Sequence, residues 1–217
     1  MEQSVIHLSH CQKEIFCFAV PEVCPSCGEA LKGRRLQEAP VSLPSPFTDG
    51  HKTSCCLLVA PKTFSRQDFT GTSDLHTGIS NTKGVVYNYT QDGVRRDQSG
   101  WSRCISIPLV RPDMFHLLAQ WDQYLETFSE GPAWDPVFHE EDHNCFSFCL
   151  QFLNGILAME GRGALSRDDF TRCFILPRMR RVSKYTTLIR HLQDHQYYLT
   201  DRQETLGDRQ EESVTTS

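Results

Sequence analysis

An apolar stretch that opens on Cys145 and runs to Glu160 constrains the fold of this chain more than any other segment. Apolar residues fall on nearly every face of the helix they would form, so the sequence predicts a central, buried helix. Asn144 is a favourable N-cap residue and would place Cys145 at the first helical position, in the positive end of the helix dipole. That position lowers the pKa of a thiol and makes it a better nucleophile.

The composition is typical of a globular protein. The 217 residues carry a net charge of −5 and 39% hydrophobic residues, which fits one well-packed domain with a small appendage. The acidic balance gives no sign of a nucleic-acid partner, and no apolar run reaches the length of a membrane span. The first residues lack the layout of a signal peptide. We therefore expect a cytoplasmic or nuclear protein whose ten cysteines are free thiols or metal ligands.

Three regions are predicted along the chain. Residues 5–35 are expected to form a small N-terminal hairpin or zinc-knuckle-like module, residues 40–200 an α+β domain, and residues 201–217 a disordered tail. The proline-rich segment 39–46 is typical of a linker. Periodicity predicts strands over 54–60, 74–80, 84–89 and 101–110, and helices over 113–129, 145–160, 166–174 and 183–195. Aromatic residues at helical spacing are expected in the core, namely Phe115, Trp121, Tyr124 and Phe128.

Two short motifs suggest thiol chemistry. His76 lies in a predicted strand upstream of Cys145, the order found in circularly permuted papain-like folds. Residues 76–79 (HTGI) and 84–87 (GVVY) resemble the hairpin of NlpC-related acyltransferases and peptidases, including the lecithin:retinol acyltransferase group. Residues 144–148 (NCFSF) are similar to the helix start of that group and of the PPPDE desumoylating peptidases. Across most of its length the chain also resembles the vertebrate makorin-2 opposite-strand family.

The resemblance to thiol enzymes implies roles for individual residues. Cys145 would be the nucleophile and His76 its base, and the acyl-thioester they form would be resolved by water or an amine. The acyltransferase group has a second histidine near the position of Tyr87 or Asn88 here. Asn88 can hold an imidazole by a hydrogen bond, as asparagine does in papain-like triads, but the sequence leaves open which of the two faces inward. Phe146 replaces an asparagine of the PPPDE pattern.

We therefore expect an α+β fold in which a small antiparallel sheet packs on a central helix, permuted papain-like, with the small N-terminal module attached. Two functions remain open. The altered third position favours a papain-like scaffold that acts as an interaction module for an unknown protein partner. The alternative is a cysteine-dependent hydrolase or acyltransferase that acts on an isopeptide, a thioester or a lipid ester through Cys145 and His76.

The N-terminal module contains half of a metal motif. Residues 24–28 (CPSCG) have the form of a zinc-ribbon knuckle, in which Cys24 and Cys27 point at one ion. Tetrahedral zinc needs two more ligands, which either His10 with Cys11 or Cys11 with Cys17 would supply. A module of this size buries too little core to stand alone, so structural zinc or docking of a metal-free hairpin is expected. Because only half of the ligand set is visible, the sequence favours the metal-free hairpin.

A second metal motif is less convincing. Residues 139–143 (HEEDH) match the H-E-x-x-H pattern of zinc metalloproteases, which requires two histidines one turn apart on a helix. All five residues are polar, and the helix is predicted to begin only after Asn144. The segment is therefore predicted to be an exposed acidic loop.

Overall fold

The chain folds into two compact units, each with its own antiparallel sheet. Unit 1 comprises residues 1–44 and 187–217, and unit 2 comprises residues 45–186. The computed structural model describes residues 3–33, 36, 38–61, 74–135 and 138–202. The predicted α+β class with an antiparallel sheet and a central helix is confirmed at this level.

Unit 1 contains a four-stranded sheet. Its strands are β1 (Val5–His10), β2 (Lys13–Cys17), β3 (Val41–Leu43) and β9 (Tyr197–Asp201), in the order β3-β1-β2-β9. Cys11 and Gln12 join β1 to β2 with φ angles of 43° and 64°, the double left-handed conformation of a type I′ hairpin turn. Among the described residues of this unit, a small buried cluster consists of Leu8, Ile15, Cys17, Cys24 and Leu31.

Unit 2 contains a five-stranded antiparallel sheet. Its strands are β4 (Cys56–Pro61), β5 (Leu75–Ser80), β6 (Val86–Thr90), β7 (Gly93–Asp97) and β8 (Ile105–Pro108), in the order β7-β6-β5-β4-β8. Side chains alternate between the two faces of the sheet. One face joins the main hydrophobic core, and the other face packs around Trp101.

The helices of unit 2 cover the first of these faces. They are α1 (Phe115–Ser129), α2 (Cys145–Met159) and α3 (Arg167–Phe170). A π-helical turn, Thr171–Ile175, leads into α4 (Leu176–His195), whose residues from 187 onward belong to unit 1. Helix α2 packs on β5 and β6, as expected of a central apolar helix. None of the described helices is long and apolar enough to cross a bilayer.

Several element boundaries differ from the sequence prediction. Helix α1 begins at Phe115 rather than at the predicted 113, and its N-cap, Met114, makes no side-chain capping bond. Phe115 is therefore at the end of the helix and 76% exposed, so its placement in the core was wrong. Strand β7 was missed because its residues (GVRRD) are mostly polar and carry almost no apolar pattern. Helix α4 begins before the predicted 183–195 because the π-helical turn continues it from α3.

The units also divide the chain differently from the predicted boundaries. Strand β3 lies in the segment predicted as a linker, and β9 pairs with β2 through the Lys13↔Asp201 register. Both strands are near the ends of the predicted 40–200 domain, but they belong to the sheet of unit 1. The predicted tail begins at 201, where Asp201 still belongs to β9; residues 203–217 of that tail lie outside the described residues.

Candidate functional site

Helix α2 presents Cys145 as its first residue. Asn144 adopts an extended conformation, and its side-chain oxygen accepts hydrogen bonds from the backbone N–H groups of Phe146 and Ser147. The backbone N–H of Asn144 donates to the Ser147 hydroxyl oxygen over 2.8 Å, which completes a capping box. This cap fixes the first turn, so the partly exposed Cys145 is held at the positive end of the helix dipole.

His76 and Asn88 come from neighbouring strands. The β5–β6 ladder pairs Ile79 with Tyr87 and Ser80 with Val86. Continuing this register places His76 and Asn88 on the same face of the sheet, diagonally across from one another. The two side chains meet there, with 2.9 Å between His76 Nε2 and Asn88 Oδ1.

Asp97 sets the orientation of the Asn88 amide. Asn88 Nδ2 donates to Asp97 Oδ2 over 2.8 Å, so the amide oxygen is the group that faces His76 and accepts its Nε2 proton. Trp101 Nε1 donates to the same Asp97 oxygen over 3.2 Å, and its ring centroid lies 5.5 Å from that of His76. In the neutral imidazole of His76, Nδ1 is therefore the ring nitrogen that carries the lone pair.

Gly78 makes room for this indole. A Cβ atom at Gly78 would lie 3.0 Å from the Trp101 ring and 2.8 Å from Val86, closer than side chains normally approach. The absence of a side chain at this position lets Trp101 pack against β5 beside His76.

Cys145 and His76 are close enough to shift each other's pKa. Burial raises the pKa of the Cys145 thiol, but the hydrogen bond and charge of His76 and the hydrogen bonds of Thr77 outweigh it, and the pKa falls below its ordinary value. Burial lowers the pKa of His76, but the hydrogen bond and charge of Cys145, the Asn88 amide and the Asp97 charge raise it overall. Both shifts favour a thiolate–imidazolium pair.

Cys149, one turn further along α2, provides an internal contrast. It is fully enclosed in the main core, and burial raises the pKa of its thiol far above the ordinary value. Thr77 lies near both cysteines, and its hydroxyl acts to lower the pKa of each thiol, but at Cys149 burial far outweighs this. One turn of helix therefore separates a thiol with a lowered pKa from one with a raised pKa.

The H-E-x-x-H segment does not form a helix. His139 and His143 pair through their backbones across a tight turn. The His139 backbone N–H donates to the His143 carbonyl oxygen over 2.8 Å, and the His143 N–H donates to the His139 carbonyl oxygen over 3.0 Å. The ring of His143 stacks on Trp134 at 5.0 Å, whereas His139 is exposed. The geometry that a metalloprotease needs is absent from this segment.

The knuckle cluster of unit 1 consists of His10, Cys11, Cys24 and Cys27. One ligand atom from each residue lies within 4.8 Å of all the others, so the cluster could hold a metal ion. Sγ of Cys11 is 3.6 Å from Sγ of Cys24, and Sγ of Cys27 is 3.5 Å from Nδ1 of His10. Of the two ligand pairs that the sequence left open, the structure selects His10 with Cys11.

Cys17 lies elsewhere in unit 1. Its thiol is buried in the small core, where it points at the Ile6 carbonyl oxygen over 3.8 Å. Burial raises its pKa. The alternative pair of Cys11 with Cys17 was therefore the wrong choice, because alternation along β2 turns position 17 into the core.

The structure brings together the three residues that the sequence singled out for thiol chemistry: Cys145, His76 and Asn88. We call them the thiol site. Tyr87, the competing candidate, lies on the opposite face of β6, where its hydroxyl donates to Glu126. Sequence reasoning missed Asp97 and Trp101, since no motif connects them to His76. The pairing of β6 with β7 brings Asp97 to Asn88, and Trp101 joins them by donating to the Asp97 carboxylate.

Comparison with known proteins finds two family models and a human relative that match most of the chain. A family model described as DUF4796 C-terminal matches residues 40–192, and one described as DUF4796 N-terminal matches residues 3–31. The human MKRN2 opposite strand protein is 47% identical over 202 residues, which cover 92% of this chain and 90% of that protein. No solved structure matches. The expected likeness to the makorin-2 opposite-strand proteins is thereby confirmed, and the chain belongs to the DUF4796 family.

Proposed function

We propose that unit 2 is a cysteine-dependent hydrolase or acyltransferase in which Cys145 is the nucleophile and His76 the general base and acid. One observation supports this most strongly. Asn88 is held by Asp97 so that its oxygen accepts the Nε2 proton of His76, which leaves Nδ1 free to take the proton of Cys145.

The proposed reaction has two steps. Cys145 transfers its proton to His76 and attacks a carbonyl carbon, and the imidazolium then protonates the leaving amine, thiol or alcohol. The acyl group remains on the Cys145 sulfur as a thioester. Water or an amine, deprotonated by His76, attacks that thioester and releases the acyl product and the free thiol. The N–H of Cys145 at the start of α2 is suited to stabilise the oxyanion of both steps.

The substrate class follows from this chemistry. An isopeptide, a thioester and a lipid ester all present the carbonyl that such a thiolate attacks. Both Cys145 and His76 are partly exposed, so a substrate carbonyl can reach them from solvent. In contrast, Cys149 is sealed in the core and excluded from this role.

The same reasoning supports a permuted papain-like fold for unit 2. His76 on β5 and Asn88 on β6 precede Cys145 on α2 in the chain, and α2 packs on those two strands. In addition, all ten cysteines are free thiols, which supports residence in the cytosol or nucleus. An ion in the knuckle cluster, zinc by its donor set, would have a structural role outside this reaction.

The experiment that tests the enzyme proposal measures thiol reactivity site by site. Each cysteine of the folded full chain is alkylated with iodoacetamide across a pH series and quantified by mass spectrometry. We expect Cys145 to react at lower pH than the exposed Cys173, and His76→Ala to move the Cys145 profile to higher pH. Incubation with p-nitrophenyl acetate should then leave an acetyl group on Cys145 but not in Cys145→Ser.

The matched control is Cys173→Ser, which removes an exposed thiol of the same unit and should leave Cys145 labelling unchanged. If Cys145 labels as slowly as Cys149 at every pH, or is never acetylated, the enzyme proposal fails.

A non-catalytic interaction module is the second candidate, and one observation favours it. Strand β9 is an edge strand of unit 1, where Tyr197 and Tyr198 are 40% and 41% exposed. Exposed aromatic residues on a sheet edge suit the addition of an extended peptide from a protein partner. Replacing both tyrosines with serine would abolish binding to such a partner but leave the labelling of Cys145 unchanged.

A further inference from the structure

We infer that the knuckle cluster is a closed zinc centre that stabilises unit 1, with Cys11, Cys24 and Cys27 as thiolate ligands and His10 as the fourth ligand through Nδ1. This inference concerns unit 1 alone and is independent of the chemistry proposed for Cys145.

The spacing of the ligand atoms fits tetrahedral zinc. Bonds of about 2.3 Å to sulfur and about 2.05 Å to nitrogen, at tetrahedral angles, separate two sulfurs by about 3.8 Å and sulfur from nitrogen by about 3.6 Å. The Cys11–Cys24 distance of 3.6 Å and the Cys27–His10 distance of 3.5 Å are close to these values. The remaining separations do not exceed 4.8 Å, so a small closure of the side chains completes the site.

A disulfide does not explain the close sulfurs. A disulfide bond is about 2.0 Å long, much shorter than the 3.6 Å between Cys11 and Cys24, and all three cysteines of the cluster are free. Three thiols beside one imidazole form a donor set that zinc prefers over magnesium or calcium, which bind oxygen.

The backbone on both sides aims the sulfurs at one point. The knuckle closes through bonds from Gly28 N to Cys24 O at 2.9 Å and from Cys24 N to Glu29 O at 2.7 Å. Within it, the Ser26 N–H donates to the Cys24 sulfur over 3.4 Å, which supports a thiolate at that position. The opposite side is the I′ turn, which places Cys11 in a left-handed conformation.

That turn is an unusual choice without a ligand. Non-glycine residues in the left-handed region cost about 1–2 kcal/mol each, and I′ turns normally use asparagine, aspartate or glycine. Cys11 and Gln12 both adopt it here. The conformation turns the Cys11 sulfur toward the knuckle, so a bound ion would offset the strain.

His10 has the second partner that zinc-binding histidines usually have. Its Nδ1 faces Cys27, and its Nε2 lies 3.6 Å from Oε2 of Glu29. A carboxylate beside the far nitrogen favours the tautomer that leaves Nδ1 free to bind metal. Glu29 is thus a positioning residue that follows the knuckle directly in the chain.

Unit 1 also has a physical need for such a centre. The buried cluster beside the ligands consists of only five small or medium side chains among the described residues, and one of them is Cys24 itself. Domains with so little buried apolar surface are usually stabilised by a metal or by disulfides. With four protein ligands and no open position, the ion would be structural rather than catalytic.

The test uses the full chain, purified without added chelator. Elemental analysis should find about one zinc per chain, and replacement by Co²⁺ should give the intense visible bands of a tetrahedral site with sulfur-to-metal charge transfer in the near ultraviolet. Cys27→Ser should lose both signals, and Cys27→His should retain bound metal with a weaker charge-transfer band because one thiolate is gone.

The control is Cys17→Ser, which changes a thiol of the same unit outside the cluster and should retain about one zinc. Chelation should raise hydrogen exchange in β1 and β2 of the unmodified chain, a readout that needs no variant to fold. The inference is overturned if the unmodified chain binds neither zinc nor Co²⁺, or if the Cys27→Ser chain binds them equally well.

Discussion

The knuckle cluster of unit 1 and the thiol site of unit 2 use the same two side-chain types in different surroundings. In unit 1, three thiols and one imidazole point at one another beside a core of five residues. In unit 2, one thiol at a helix start meets one imidazole, and a large core hides the next thiol, Cys149. Neighbouring groups, rather than residue type, therefore distinguish the metal centre that we infer for unit 1 from the nucleophile that we propose for unit 2.

Removal of metal should produce the largest difference between the two units. Structural zinc contributes a binding free energy on the order of 10 kcal/mol, more than any single side chain of the small core. We expect a chelator to abolish hydrogen-exchange protection in β1 and β2 while β4 and β5 keep theirs. An equal loss of hydrogen-exchange protection in both units, or no loss in either, would contradict a structural metal centre confined to unit 1.

Truncation of the large core should affect unit 2 alone. Phe148 is fully buried, so Phe148→Ala should lower the free energy of unfolding by about 3–5 kcal/mol through lost burial and the cavity left behind. All three tryptophans lie in unit 2, so urea unfolding followed by their fluorescence reports on this unit. Phe115→Ala, at a 76% exposed position, is the control and should change stability by less than about 0.5 kcal/mol.

Loss of the imidazole should separate the two sites chemically. If His76 is the general base, His76→Ala should lower the rate of acetyl transfer to Cys145 by about 10²-fold or more. The measurement is the release of p-nitrophenol from p-nitrophenyl acetate in the first turnover. His10→Ala is the matched histidine control and should leave that rate unchanged; a comparable drop there would show that the two sites are not independent.

The pH dependence sharpens the same prediction. The pKa of the Cys145 thiol is lowered in the folded protein. Its thiolate therefore contributes fully to folding stability above the unfolded pKa of 9.0, and this contribution is lost as pH falls through the folded pKa. The pKa of the His76 imidazole is raised in the folded protein. Its imidazolium therefore contributes fully to folding stability below the unfolded pKa of 6.5, and this contribution is lost as pH rises through the folded pKa. Acyl transfer should therefore fall on both the acid and the alkaline side, and His76→Ala should remove the alkaline fall.

The smallest expected effect concerns the helix cap. Asn144→Ala should cost about 1 kcal/mol of stability and move Cys145 labelling to higher pH, because the first turn of α2 loses its fixed geometry. Ser166 caps α3 in the same way, through the Asp169 N–H. Ser166→Ala is thus a matched control that should leave the Cys145 profile in place; equal shifts in both variants would point to a general loss of stability.

The sequence predicted those helices and strands that carry a capping residue or an apolar pattern within their own residues. The apolar run after Asn144 predicted α2 to within one residue, because a capping residue and a continuous apolar face act over a few turns. Strands β4, β5 and β6 were found for the same reason. Strand β7 and the start of α4 were missed, since their residues are mostly polar and only their packing partners define them.

The candidate sites show the same limit. Cys145, His76 and the knuckle cysteines stand in motifs, and so could be selected by inspection. Asp97, which orients Asn88, and Glu29, which faces His10, belong to no sequence motif and were therefore not predicted as site residues. The choice of His10 over Cys17 also required the strand alternation that turns position 17 into the core.

The sequence alone determined the central helix α2, the strands with a clear apolar pattern, the reactive residue types and the position of Cys145 at a helix start, since all of these depend on neighbours within a few residues. Tertiary structure decided which groups meet. The register of β5 with β6 and of β6 with β7 selects Asn88 and Asp97 as partners of His76. The hairpin turn at Cys11 selects the knuckle cluster. Distances between residues far apart in the chain are set by strand pairing and core packing, and no local pattern encodes them.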